Sequence, residues 1–281
     1  MEIIKEEHKL TPEEKWEQAT LANNFIFYKV MRNHQDACKQ LLEMLLGIKI
    51  ESMEMKQEET IALDYDSKGI RLDVFVKETG RMFDVELQVA NTKELPERAR
   101  YYQGVMDVDT LKAGQKYKEL RDSHIIFICL EDVFKNGLPV NTFANICLED
   151  GKTKFGDRTY KHFFFAPLCA KMIEDKEVKA FFEFLISNQA SSSYTDELKN
   201  YVADAKQSTE NKMQFMTWER QRAYDLDAGR EEGIEIGAQQ KAVEDAENFL
   251  RENISEEIIA KCTGLPLEKV LELKEKVSVK A

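Results

Sequence analysis

The chain lacks any run long and apolar enough to span a bilayer. Its longest apolar stretches, around 125–130 and 163–168, have the length of strands. The opening residues, Met-Glu-Ile-Ile-Lys-Glu-Glu-His, contain no secretory hydrophobic segment. Five cysteines (Cys38, Cys129, Cys147, Cys169, Cys262) are an odd number, widely spaced and without a Cys-x-x-Cys pair. That argues against a zinc-thiolate site and predicts a reducing, cytoplasmic setting with no membrane partner. Three of the five sit in apolar contexts, where Cys acts as a small hydrophobe. The four histidines (His8, His34, His124, His162) are too scattered along the chain to predict a ligand cluster. No glycine-rich phosphate loop and no Ser/His/Asp signature is present, which argues against an ATPase and an acyl hydrolase. Basic residues are also in deficit: 40 Lys and Arg stand against 52 Asp and Glu, a net charge of −12. An acidic chain reaches nucleic acid only through a local basic rim.

What remains is enough for one large domain, or one domain with an appendage, in 281 residues that are 43% hydrophobic and 33% charged. Thr11-Pro12-Glu13-Glu14 starts a helix. Residues 23–46 read as helical and end at Gly47. A strand is predicted over 59–65, a turn at 66–69, and then a hairpin. Pro96 opens a helix expected to run to about Leu120. Residues 124–130 form a continuous apolar run, as in a central strand buried on both faces. Further strands are predicted at 140–148 and 160–166. This α-β-β-β-α-β order, with a crossover after a meander, predicts an α/β fold: a mixed sheet flanked by helices. After residue 187 the chain turns polar and then helical, so the expected domains are 1–187 and a helical tail, 188–281. In that tail Gly229, Gly233 and Gly237 recur every fourth residue. They read as a weak polar linker helix, or else as close backbone packing in a homo-oligomer. Two short helices close the chain, one after Ser255 and ending at Thr263-Gly264, the other opened by Pro266.

The hairpin carries the chemistry. Arg71-Leu72-Asp73-Val74-Phe75-Val76-Lys77 and Met82-Phe83-Asp84-Val85-Glu86-Leu87-Gln88 both alternate with the period of half-buried strands. Thr79-Gly80 supplies a tight turn, because Gly accepts positive φ. A turn centred there opposes Asp73 to Glu86 and Arg71 to Gln88. Two facing carboxylates repel unless a proton, a Lys or Arg, or a metal ion lies between them. Two carboxylate oxygens aimed at one point suit Mg²⁺. The alternative is a solvated strand face bridged by Arg71. Asp84, Asp107 and Asp109 read as solvated acids. In the next helix Arg98 and Tyr102 share a face while Arg100 points away, so Arg98 and Tyr102 are the better pair for phosphate; Tyr packing with a solvated Arg is the plain alternative.

These segments resemble the PD-(D/E)XK nuclease family transposases, also called recombination-promoting nucleases. The similarity lies in Asn23-Asn24-Phe25-Ile26-Phe27, in Lys68-Gly69-Ile70-Arg71-Leu72-Asp73-Val74, in Val85-Glu86-Leu87-Gln88 and in Leu95-Pro96-Glu97-Arg98-Ala99-Arg100-Tyr101-Tyr102-Gln103. Tyr117-Lys118-Glu119-Leu120 and Ile125-Ile126-Phe127-Ile128-Cys129 continue the order. The resemblance is close over about residues 20–170. It implies a restriction-endonuclease-like core and a Mg²⁺-dependent DNA endonuclease, with Mn²⁺ as a substitute. It makes Asp73 and Glu86 the motif's acids, both catalytic and metal-binding, with the Leu87 carbonyl as a third ligand. Gln88 stands where the broader superfamily has Lys, and would orient the attacking water. Lys68 is a candidate substitute for the missing charge, and Lys68, Arg98 and Tyr102 are the candidate DNA contacts. Asn24 stands where some such sites carry a helical acid. The rival implication is a degenerate nuclease fold acting as a DNA-binding or assembly module.

Overall fold

A computed structural model describes residues 10–55, 60–61, 70–71, 74–78, 80–90 and 92–280. Helix α1 (Pro12–Gln18) begins with the expected signal: Thr11 and Glu14 form a reciprocal capping box. The single helix expected over 23–46 is two, α2 (Asn24–Asn33) and α3 (Gln35–Leu46), because His34 leaves helical backbone geometry between them. Asn23 caps α2, its side chain accepting from the amides of Phe25 and Ile26. Gly47 ends α3 at φ 64°, a left-handed conformation that glycine adopts without a Cβ clash.

Short strands β1 (Glu54–Met55), β2 (Thr60–Ile61) and β3 (Ile70–Arg71) precede the hairpin arms β4 (Val74–Glu78) and β5 (Arg81–Gln88). Only Thr60 and Ile61 of the strand expected over 59–65 lie among the described residues of that segment. The described β4–β5 pairs run from Val74↔Val85 to Glu78↔Arg81, the register deduced from sequence, and Gly80 takes φ 85° in the turn. Arg71, expected opposite Gln88, instead pairs with Thr60 in a separate two-stranded sheet.

After the hairpin come α4 (Leu95–Thr110), a 3-10 turn at Tyr117–Glu119, and strands β6 (Asp122–Cys129), β7 (Val140–Phe143) and β8 (Thr159–Phe165). Helix α4 stops at Thr110, short of Leu120, since Leu111 is extended and Gly114 takes φ 88°. Among the described residues the main sheet has six strands in the order β1-β4-β5-β6-β8-β7. β4 and β7 are antiparallel to their neighbours, whereas β5, β6 and β8 run parallel, so the sheet is mixed as expected.

Helices cover both faces. On one side α4 lays Leu95, Ala99, Tyr102, Val105 and Met106 over Phe75, Met82, Ile125, Phe127 and Phe163. On the other, α2 packs on β4 and β5 through Ile26, Phe27, Val30 and Met31. Burying one such side chain contributes about 1.5–3 kcal/mol. Helices α5 (Ala166–Met172) and α6 (Lys176–Ser187) follow β8, and Phe182 of α6 stacks on Phe164. Helix α7 (Ser193–Gln207) returns to α2 and α3, where the buried Tyr194 hydroxyl donates to the Ala37 carbonyl at 2.9 Å. The first compact unit therefore runs past residue 187; the boundary between units falls between Phe215 and Met216, inside α8 (Thr209–Arg251).

The second unit holds a small core of its own. Ala246 and Leu250 of α8 meet Ile259 of α9 (Glu256–Thr263) and Val270 and Leu273 of α10 (Leu267–Lys280). Gly264 closes α9 at φ 74°, and Pro266 precedes α10, as the sequence indicates. Residues 220–241 of α8 are exposed throughout, Gly229, Gly233 and Gly237 among them.

Candidate active site

β5 is buried on both faces, which its alternation does not reveal. Phe83, Val85 and Leu87 point to one side. Asp84, Glu86 and Gln88 point to the other, beneath α4, and are 0%, 1% and 9% exposed. Asp84 is thus buried, not the solvated acid expected. Asp107 and Asp109 differ likewise. Asp109 receives an ion pair from Lys77 at 2.8 Å with both side chains largely covered. Asp107 is half-buried, and burial raises its pKa against the opposing pull of Gln103 and Lys161. The physical reason is the same for all three: the inner side of α4 closes over this face of the sheet.

Arg98 organises the site. It lies in the first turn of α4 and reaches down to the end of β5. Its Nη2 donates to Glu86 Oε2, its Nη1 to Gln88 Oε1 at 3.0 Å, and its Nε to the Tyr102 hydroxyl at 2.9 Å. The guanidinium also lies over the rings of Tyr102 and Phe127, 5.2 and 5.4 Å from their centroids. The Gln88 amide group donates to the Ala90 carbonyl, so that side chain is held at both ends. Arg98 and Tyr102 do share a helix face, with Arg100 exposed on another. What they face is the Glu86 carboxylate. That pairing explains how an acid tolerates 1% exposure, since an unpaired buried carboxylate costs several kcal/mol.

Glu86 is only half satisfied. Its Oε1 is buried with no hydrogen-bond partner among the described residues. A hard oxygen donor with a spare lone-pair set fits Mg²⁺ or Mn²⁺. Among the described residues no group of three His, Cys, Asp or Glu side chains converges on a point, so Glu86 requires a further acid from elsewhere. Asp73 and Lys68, both singled out from sequence, lie outside the described residues. The described β4 pairs stop one residue after Asp73, at Val74↔Val85. Leu87 turns its side chain into the core on the opposite face. A dication at Glu86 also has to contend with Arg98. Charges of +1 and +2 at 4 Å repel by about 8 kcal/mol at an effective dielectric near 20.

Cys129 is the nearest thiol, in register with Gln88 on β6. Burial pushes it up to about 12, with Arg98 pulling it down and Asp132 up, so it is no nucleophile at neutral pH. Sequence reasoning missed the Arg98–Glu86 pair and also a pair of histidines. His124 Nδ1 and His162 Nε2 are 3.1 Å apart, and Thr142 lies 3.1 Å from His162 Nδ1. The only hint was period two: both rings fall on one face of adjacent parallel strands. They lie on the face opposite Glu86.

The mixed sheet with helices on both faces, and an acidic strand end under the following helix, define a restriction-endonuclease-like α/β fold. The family described as PD-(D/E)XK nuclease family transposase matches residues 23–252. The chain belongs to that family, and its function is accordingly nuclease-related. No curated protein and no solved structure matches the chain. Among the described residues no helix is long and apolar enough to cross a membrane.

Proposed function

We propose that this chain is a metal-dependent DNA endonuclease acting in recombination or transposition, and that it works in the cytoplasm. The observation that supports this most is Glu86, a buried acid with one unsatisfied oxygen at the end of β5, in a chain of a nuclease family. Continuing the described hairpin register by one residue opposes Asp73 to Glu86. Asp73, Glu86 and the Leu87 carbonyl would hold Mg²⁺ or Mn²⁺. Such an ion supplies Lewis-acid activation of the scissile phosphate and of a water. Gln88, anchored through its amide group on the Ala90 carbonyl, presents its carbonyl oxygen to orient that water. Lys68, Arg98 and Tyr102 supply the DNA contacts, local charge on an otherwise acidic chain. The test is nicking of supercoiled plasmid: cleavage is expected with Mg²⁺ or Mn²⁺ and none in chelator.

One observation favours a second reading. Arg98 already neutralises Glu86, and Gln88 carries no charge. A degenerate nuclease fold serving as a DNA-binding or assembly module would look the same. Calorimetry that finds no Mg²⁺ or Mn²⁺ affinity, together with intact DNA binding, would select it.

The tail supports self-association. Leu226, Ile234 and Ile236 are 64%, 63% and 46% exposed on the stretch of α8 that carries the glycines. Replacing all three with Glu in the full chain is expected to halve the mass seen by light scattering. An unchanged mass would remove this role.

A further inference from the structure

The site holds a cation already, and it is Arg98. Three guanidinium nitrogens are spent on Glu86, Gln88 and Tyr102, two of which the nuclease reading places in the reacting centre. Glu86 is nearly sealed, whereas the Arg98 side chain is 31% exposed. The exposed partner is the one free to leave. Arg98 is also in the first turn of α4, whose N-terminus has no side-chain cap. The positive end of the helix dipole lies there, a setting that favours phosphate oxygens.

Resting on the nuclease reading, we propose that Arg98 is an exchangeable counterion: it occupies Glu86 until a divalent cation binds, then turns outward and grips a DNA phosphate. One monocation and one dication compete for a single buried carboxylate. The released guanidinium keeps its stacking platform on Tyr102 and gains a bidentate acceptor. This gives the family's missing strand lysine a substitute that the sequence does not show, a charge delivered from the next helix. It also makes metal and DNA binding cooperative, since the metal releases the residue that binds the phosphate.

The test measures binding as well as cleavage. Calorimetry with Mn²⁺ alone would compare wild type with Arg98→Ala and Arg98→Lys. Loss of the competitor is expected to tighten Mn²⁺ binding by about tenfold or more in Arg98→Ala, or about 1.4 kcal/mol. Arg98→Lys, which keeps a monocation, should lie between. A duplex-binding titration in Ca²⁺ should show Arg98→Ala weakened, with the salt dependence reduced by about one phosphate contact. In wild type, the Arg98 Nε–H NMR signal should move on adding Mg²⁺, a readout that needs no variant to fold. Unchanged or weakened Mn²⁺ affinity in Arg98→Ala, or an unmoved Nε–H signal at saturating metal, overturns the exchange and leaves the nuclease reading standing. Absence of any Mg²⁺ or Mn²⁺ binding in wild type overturns both.

Discussion

Alanine at Asp73 or at Glu86 is expected to abolish plasmid nicking, by more than about 100-fold for each. Outer-shell changes around a bound metal already cost about 10–100-fold, and the proposed function assigns these two to the inner set. The two variants should differ in their side effects. Glu86→Ala strips the partner from Arg98 beneath α4, and breaking a buried pair by removing one member typically costs about 3–5 kcal/mol. Some of that is relieved here because Arg98 can reach water. Glu86→Gln keeps volume and a hydrogen-bond acceptor for Arg98 while removing the charge that a metal needs. Glu86→Gln should therefore stay folded and inactive, a combination that separates chemistry from stability. Nicking that survives in both alanine variants would mean that the reacting centre has been misplaced.

Stability should fall steeply with acid. His124 and His162 are held neutral, each lowered from 6.5 to about 4. Burial is the main cause for both. The Arg81 charge adds to it at His124, and the neighbouring His124 adds to it at His162. His124 stacks on Phe83 and on Tyr160, and the Thr142 hydroxyl lies against His162. Because the folded pKa is below the unfolded one, the unfolded chain takes up protons first. The stabilisation is complete above about pH 6.5 and is lost as pH drops toward 4. Two and a half units correspond to on the order of 3 kcal/mol for one ring. Urea midpoints between pH 7 and pH 4 are expected to show this slope in wild type. The double variant His124→Asn/His162→Asn should show a much shallower one. Equal slopes would mean that the pair does not control the acid response.

The hairpin was legible because two independent signals agreed: strict alternation in both arms, and Gly80 where the turn needs positive φ. Gly47, Gly264 and Pro266 marked helix ends for the same local reasons. The burial of Asp84, Glu86 and Gln88 was not legible, because an acidic strand face looks solvated until something packs on it. That something is α4, and its decisive contact, Arg98 to Glu86, joins residues 12 apart on two successive elements. His124 and His162 are 38 residues apart and meet only because β6 and β8 lie side by side. The early end of α4 was hidden as well, since no proline punctuates residues 111–120. Of the site residues proposed from sequence, Glu86, Gln88, Leu87, Arg98 and Tyr102 have described positions. Asp73 and Lys68 rest on register and resemblance alone.

Residues 220–241 of α8 are exposed throughout, so this stretch lives on backbone bonds and intrinsic propensity. Three glycines in it each weaken the helix by about 1 kcal/mol. Here the chain should breathe first, with amide protons exchanging fastest and a protease finding its earliest cut. Both resulting fragments would retain an interior, one around the sheet and one around Leu250, Ile259 and Val270. A second copy laid along the glycine side would silence that exchange, so the protection of these amides reports whether the tail has found its mate.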